Sequence, residues 1–465
     1  MRSIVPDSSS RYHPAVRAQY ESFPYPPRNP ADELARLLLT EMDALGKVSY
    51  YCFQGRLDLR ENIRILVAGG GTGDAAIFLA EQLRGHPGEV VYLDISRASM
   101  EIAMARARVR KLDNIRWVSG SLLDIPQLDL GCFDYINCSG VLHHLEDPVE
   151  GLRVTASALA PRGVLGIMVY AKYGRTGVYH FQELMRLFGG EDTELAEILG
   201  VARSLIHSLP NTHTLKCGPI PLTSQKAAEL EDADIVDLFL HPQDRAYTVS
   251  ELYDWLHSCN LELVDFVCSR HLYEPETHVD DSQLLGLIGR LPRPQQQAIA
   301  ENMGGNLYKH VFYTGKATPR RIDVDDLNNI PYFCDLVPLS AEERRLLQEY
   351  VMAAPIGRKC RLHFPRGNSS FEIQITPTTG LFFRFIDGQR TLGKIIKLVQ
   401  RHARAAGIQR PDLKKEFRQL FRQMSCKHAL LLRGRTVPAY KTYAELQAGC
   451  KPRRHPEGLA ESGGL

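Results

Sequence analysis

The stretch ILVAGGGTGDAAIFLAEQL, residues 65–83, decides the fold. It runs from a short apolar segment of strand length into a glycine-rich turn, then into a helix whose apolar residues recur every three to four positions. Gly69, Gly71 and Gly73 stand at two-residue steps in the turn. Lacking Cβ atoms, they let the backbone bend sharply and approach a bound group closely. Such a turn either cradles a ligand or is a tight strand-to-helix connection, and the surrounding chain must choose.

Outward from the turn, strands and helices alternate. IRILVAG, EVVYLDIS, IRWVSGS, FDYINCSG and GVLGIMVYA read as strands, with helical patterns in DAAIFLAEQLRG, RASMEIAMARARVRKL and PVEGLRVTASALAP between them. That rhythm predicts right-handed βαβ units and a parallel sheet. LELVDFV (261–267) and LYKHVFYTG (307–315) read as two late strands that complete seven. The expected fold class is therefore α/β: a Rossmann-like seven-stranded sheet in residues 61–316, with helical insertions at about 180–257 and 275–306.

Residues 1–60 read as an N-terminal arm and helix. In RYHPAVRAQYESFPYPPRNPA (11–31), proline fixes φ and removes donors, so an ordered arm or lid is expected rather than a helix; DELARLLLTEMDALGKVSYY then supplies the helix. Residues 317–338 read as a linker, 339–445 as a small α+β, winged-helix-like C-terminal domain, and 446–465 as a disordered tail. Within the C-terminal domain, FEIQITPTTGLFFRFIDGQRTLGKIIKLVQRHA reads as strand, turn, second strand, DG turn and helix.

Composition sets further bounds. The N-terminus lacks an apolar signal-peptide core, and no uninterrupted apolar window is long enough to span a bilayer. The ten cysteines are scattered with no C-x-x-C pair, which argues against a structural metal or disulfide framework and for a reducing cytoplasm. Net charge is +2, yet residues 341–465 hold 24 Lys and Arg against 10 Asp and Glu. So basic a region suits an acidic protein or peptide surface, a nucleic acid, or a packing face between two copies of the chain. Aromatics are not interleaved with the cations, which ranks nucleic acid below protein.

Asp94 ends the second strand about twenty residues past the glycine turn, where a carboxylate accepts both ribose hydroxyls of an adenosine. Its competing reading is a helix N-cap. Both features fit a dinucleotide and S-adenosylmethionine alike, since Gly71 to Ala76 also matches G-x-G-x-x-A. Asp74 separates the two. It stands in the first helical turn, where a pyrophosphate would have to lie and would be repelled, whereas a sulfonium and an α-amino group are compatible with it. Asp74 as a helix-capping charge is the alternative.

VSGSLLDIP (118–126) and FDYINCSGVLHHLEDP (133–148) follow in order. With the glycine turn and Asp94, they resemble the class I S-adenosylmethionine-dependent methyltransferases over roughly residues 60–170. The resemblance implies S-adenosylmethionine as cofactor, Ser121 and Leu122 flanking the adenine, and Cys138 and Gly140 lining the donor pocket through backbone groups. One position departs: many members carry an acid two residues before the first glycine, and Val67 stands there. Contacts to the donor's amino group are then expected from backbone carbonyls near Gly69 and Cys138. QYESFPYPPRNP resembles the arm of a subgroup that includes rickettsial outer-membrane-protein lysine methyltransferases, which implies Tyr20, Phe23 and Tyr25 over the donor pocket. LFFRFIDGQRTLGKIIKLV resembles PqqD-type modules, which recognise peptides.

Methyl transfer needs alignment of a neutral nucleophile and, for a protonated one, a base; no metal is required. His143 and His144 follow the fourth strand, and an imidazole titrates near neutrality. YAKYGRTGVY (170–179) offers Tyr173 and Arg175, the latter able to meet an anionic acceptor. HPQDRAYT (241–248) adds His241, Asp244 and Arg245. The acceptor is expected to be a protein or peptide amine, with a small molecule as the alternative and a non-catalytic donor-binding scaffold as a further one.

Overall fold

The computed structural model describes residues 13–188, 194–219, 221–318, 321–364, 366, 370–408 and 412–448. Strands β1 (Arg64–Ala68), β2 (Glu89–Asp94), β3 (Ile115–Ser119), β4 (Phe133–Ser139) and β5 (Leu159–Ala171) form where expected. All four pairings among them are parallel. Alternate residues of β1 serve opposite cores: Ile65 and Val67 join one buried cluster, Leu66 and Ala68 the other. Both faces are covered, which is why these strands read as continuous apolar runs.

The sheet has eight strands, not seven. Its main path is β3-β2-β1-β4-β5-β8-β7, with β7 at Glu262–Phe266 and β8 at Lys309–Gly315. The last, β8, runs antiparallel to both neighbours. The extra strand is β6 (Ala246–Tyr247), two residues of HPQDRAYT that pair with the end of β5 and so tether the insertion to the sheet.

The N-terminal segment differs from expectation in two places. Helix α1 (Pro14–Ser22) forms within the proline-rich arm because Pro14 occupies its first turn, where a fixed φ and a missing N–H are harmless. The next prolines fall beyond its end. DELARLLLTEMDALGKVSYY is not one helix: 3₁₀ turns at Pro30–Leu34 and Glu41–Asp43 precede α2 (Leu45–Cys52). Ion pairs decide the first break, since Arg106 and Arg110 hold Glu33 at 2.7 and 3.2 Å in the interior.

Helices α3 (Asp74–Leu83) and α4 (Arg97–Val109) cover one face of the sheet with α2. The other face carries α5 (Pro148–Ser157) and, later in the chain, Leu252 and Trp255. The insertion after β5 contains α6 (Thr176–Phe188), α7 (Leu195–Ser208), α8 (Thr214–Cys217), α9 (Ser224–Glu229) and α10 (Asp232–Phe239), packed on its own core around Phe181 and Phe239. Helix α11 (Val249–Ser258) starts at a Thr248–Glu251 capping box and leads into β7; α12 (Ser282–Ile288) and α13 (Arg293–Gly304) fill the excursion to β8.

Beyond the sheet, β9 (Ile330–Asp335) lies within the stretch read as a linker, between β10 (Val337–Pro338) and β13 (Leu430–Arg433). Helix α14 (Ala341–Ala353) and the antiparallel pair β11 (Lys359–His363) and β12 (Ser370–Gln374) follow. LFFRF is not a second strand but α15 (Thr379–Phe385): Phe382, Phe383 and Phe385 turn into a common core, and packing overrides their strand preference. The Asp387 side chain caps the DG turn before α16 (Leu392–Ala405), and α17 (Leu413–Ser425) leads to β13. The expected tail starts inside α18 (Tyr443–Gln447), and residues 449–465 lie outside the described ones. No described helix is long and apolar enough to cross a membrane.

Candidate active site

A cavity of about 1140 Å³ opens where β1, β2, β4 and β5 end. Carboxyl ends of parallel strands are where open α/β sheets bind ligands. Gly69, Gly71, Asp74, Asp94, Ser121, Leu122, Gly140, Tyr20 and Tyr25 line it. Gly73 and the Cys138 side chain do not. Gly73 begins α3 with φ 102°, and a Cβ there would meet that of Ala103 at 2.7 Å, so its bareness serves helix packing. Cys138 is fully buried in the core, and the wall is formed by Asn137 and Ser139 on either side of it.

The turn is fixed from above and below. Gly71 has φ +49°, and a Cβ on it would lie 2.7 Å from the Tyr25 carbonyl. The arm therefore sits directly on the turn: Thr72 N–H donates to the Tyr25 carbonyl at 3.3 Å and the Thr72 hydroxyl to that of Pro26 at 2.7 Å. From beneath, the Tyr92 hydroxyl donates to the Gly71 carbonyl at 2.6 Å. Glu21 extends the clamp by accepting the first N–H groups of α4, from Arg97 and Ala98, at 2.9 and 3.1 Å.

Asp94 is 9% exposed at the cavity wall and accepts N–H bonds from Gly71 at 2.7 Å and Ser96 at 2.8 Å. Burial pushes its carboxyl up to about 6 against those bonds. A carboxylate has roughly four acceptor positions, so capacity remains for ribose hydroxyls. The bare turn and this acid fit an adenosine-bearing donor. Asp74 lines the cavity with its charge already paired: Arg28 holds it at 2.7 Å and Arg106 at 2.6 Å, which ties the arm to α3 and α4. Burial alone would raise its carboxyl, but the two guanidiniums outweigh this and hold it below the usual range.

The far wall of the cavity carries His144, Tyr170 and Asp237 with Tyr20 and Tyr25. The Tyr20 hydroxyl donates to Asp237 at 3.0 Å and lies 3.3 Å from His241 Nε2. His144 stacks on His241 with ring centres 3.7 Å apart and is hydrogen-bonded through Nδ1 to the Gln243 carbonyl. Ligating atoms of His144, Asp237 and His241 lie within 4.8 Å of one another, and the Tyr20 hydroxyl bonds two of the three, Asp237 and His241. Burial lowers His144 to about 4 and His241 to about 3, and raises Asp237 to about 6. The wall thus presents one carboxylate, the neutral imidazole of His144 and phenol rings.

Of the other residues expected at the acceptor, none lines the cavity. His143 is fully buried between His144 and Tyr170, and neither ring nitrogen has a partner among the described residues. Arg175, expected to meet an anion, is 5% exposed, pairs with Asp244 at 3.3 Å and lies 3.5 Å over the Tyr170 ring. It braces the wall from behind. His241 lies behind His144, and Tyr173 sits in a half-buried turn. Two wall residues escaped sequence reading. Asp237 belongs to an acidic run, EDADIVD, that looks like a solvated helix face; Asp43 lies in a turn masked by a helical pattern.

Comparisons with known proteins agree with this geometry. A family model described as a methyltransferase domain matches residues 66–165. An uncharacterized protein of Synechococcus sp. is 31% identical over 331 residues, 70% of this chain and 76% of that protein. The tRNA 5-carboxymethoxyuridine methyltransferase of Escherichia coli is 33% identical over 115 residues, 24% of this chain and 42% of that enzyme. Among solved structures, PKMT2 from Rickettsia typhi superposes over 86% of this chain and 77% of its own with a TM-score of 0.57 at 14% identity, a likeness of fold. It has also been solved in complex with AdoHcy. A parallel sheet with one reversed strand, an adenosine-type acid beside a bare glycine turn, and these relatives agree: the chain belongs to the class I S-adenosylmethionine-dependent methyltransferases.

Proposed function

We propose that the chain methylates an amine, most naturally on a protein or peptide side chain, with the donor held by Gly69, Gly71, Asp94, Ser121 and Leu122. The observation that carries the acceptor class is the Asp237 carboxylate, 4% exposed, on a wall shared with Tyr20, Tyr25 and Tyr170. A carboxylate and phenol faces attract an ammonium. Burial holds His143, His144 and His241 neutral, and Arg175 behind the wall is paired with Asp244.

Bound S-adenosylmethionine supplies a sulfonium methyl that a lone pair takes in line, the C–S bond electrons staying on sulfur. The chain's part is to align and dehydrate the amine and to accept its proton. Enclosure among the rings lowers the amine's proton affinity, and Asp237 stands on the wall to receive the proton. A protein acceptor is supported by the exposed Lys394, Lys397 and Arg401 on α16, which suit an acidic segment beside the target residue, and by the likeness in fold to PKMT2. A small-molecule amine is the second reading, favoured by the burial of Asp237 and His144.

The test offers lysine-containing peptides, with and without flanking acids, and small amines to the enzyme with methyl-labelled donor. The reading expects label on peptide nitrogen, with acidic flanks lowering KM. Label confined to small amines selects the second reading; label on oxygen or carbon overturns both.

A further inference from the structure

We infer that Asp43 supplies the carboxylate that pairs with the α-amino group of the donor, in the place where Val67 leaves the glycine motif without an acid. The inference rests on the donor-site reading above. Val67 of β1 stands in register with Asn137 of β4. Asn137 Nδ2 donates to Asp43 Oδ1 at 2.7 Å, and the Tyr135 hydroxyl donates to the same oxygen at 2.9 Å. The Asp43 carboxylate therefore lies over the rung that begins with Val67, and Val67, Gly69, Asn137 and Asp43 all line the cavity.

Its position is built from several elements. Gln82 of α3 donates to the Asp43 carbonyl at 2.9 Å and accepts Leu45 N–H at 2.8 Å, while the Tyr313 hydroxyl of β8 donates to the Met42 carbonyl at 2.6 Å. The side chain is 1% exposed. Its hydrogen-bond partners among the described residues, Asn137 and Tyr135, are uncharged donors, and Lys47, one helical turn on in the chain, is paired with Glu41 at 2.8 Å. Burial pushes the Asp43 carboxyl above its usual range. A buried carboxylate held by neutral groups alone is costly, and a cation entering from the cavity relieves it. The amino-acid end of the donor brings an ammonium group to the glycine turn.

Calorimetry on the full chain tests this with two adenosine thioethers. S-adenosylhomocysteine keeps the α-amino group without a sulfonium, and 5′-methylthioadenosine lacks both. Asp43→Asn keeps the shape and an acceptor oxygen for Tyr135, so it should weaken S-adenosylhomocysteine by about 10–100-fold, the value of one charged hydrogen bond. Methylthioadenosine should change by less than about twofold, given that the lost contact is absent from it. Equal weakening of both ligands, or no weakening of S-adenosylhomocysteine, overturns the inference. If Asp43→Asn does not fold, Asp43→Glu carries the same comparison, with the displaced charge again affecting only S-adenosylhomocysteine. Failure of wild type to bind S-adenosylhomocysteine would instead overturn the donor site itself.

Discussion

Asp94 takes N–H bonds from Gly71 and Ser96 while burial lifts its carboxyl to about 6. The ionised form is the better acceptor for hydroxyls, so donor affinity should be full above pH 6 and fall as pH drops through that value. Titration calorimetry from pH 5 to 8 checks the slope, and Asp94→Asn should flatten it while weakening binding by about 10–100-fold. Stability runs the other way: the folded pKa exceeds the unfolded one, so this group's stabilisation is present at low pH and lost as pH rises through about 6. Arg175 makes a different prediction. Removing it by Arg175→Ala leaves the buried Asp244 carboxylate without its cation, at roughly 3–5 kcal/mol; the melting temperature should drop while donor affinity in the folded protein is unchanged. A change in acceptor KM with no loss of stability would return Arg175 to the acceptor site. The glycine turn and Asp94 were legible because their spacing is set locally by strand and helix. Asp237 and Asp43 were not, for each becomes a wall residue only when distant segments fold over the strand ends.

The arm is the element on which the site closes. Its Tyr25 carbonyl lies only 2.7 Å from where a Cβ on Gly71 would be, and Arg28 ties it to Asp74. Gly71→Ala adds the strain of a left-handed residue, roughly 1–2 kcal/mol, to that clash. The arm should lift, which limited trypsin digestion at Arg17 and Arg28 would report as faster cleavage, accompanied by weaker donor binding. Unchanged cleavage would mean that the arm does not lean on the turn. The prolines announced an ordered strap, but not that Pro14 would start a helix within it. The same limit applies to α15, where phenylalanines favour a strand in isolation and a helix once Phe382, Phe383 and Phe385 share a core.

At the scale of the molecule, the basic C-terminal region is bound into the catalytic one. Tyr332, Cys334, Leu431 and Tyr440 share a buried cluster with Val48, Val67 and Tyr313. The Tyr332 hydroxyl donates to the Gly46 carbonyl at 3.1 Å, Tyr51 and His428 bond at 2.7 Å, and Arg110 donates to the Leu446 carbonyl at 2.9 Å. A chain ending at residue 329 should therefore lose its fold, as read by circular dichroism and solubility; a soluble fragment that still binds the donor would contradict this. Charge asymmetry marked the region in the sequence, yet shared burial depends on contacts hundreds of residues apart, which no local pattern encodes. Amine methylation is tested most directly by mass spectrometry of lysine-containing peptides incubated with the enzyme and methyl-labelled S-adenosylmethionine. Label is expected on nitrogen in step with S-adenosylhomocysteine release, and is expected to be lost in Asp237→Asn with donor binding intact. Label on oxygen or carbon, or transfer to nitrogen undiminished in Asp237→Asn, would contradict it.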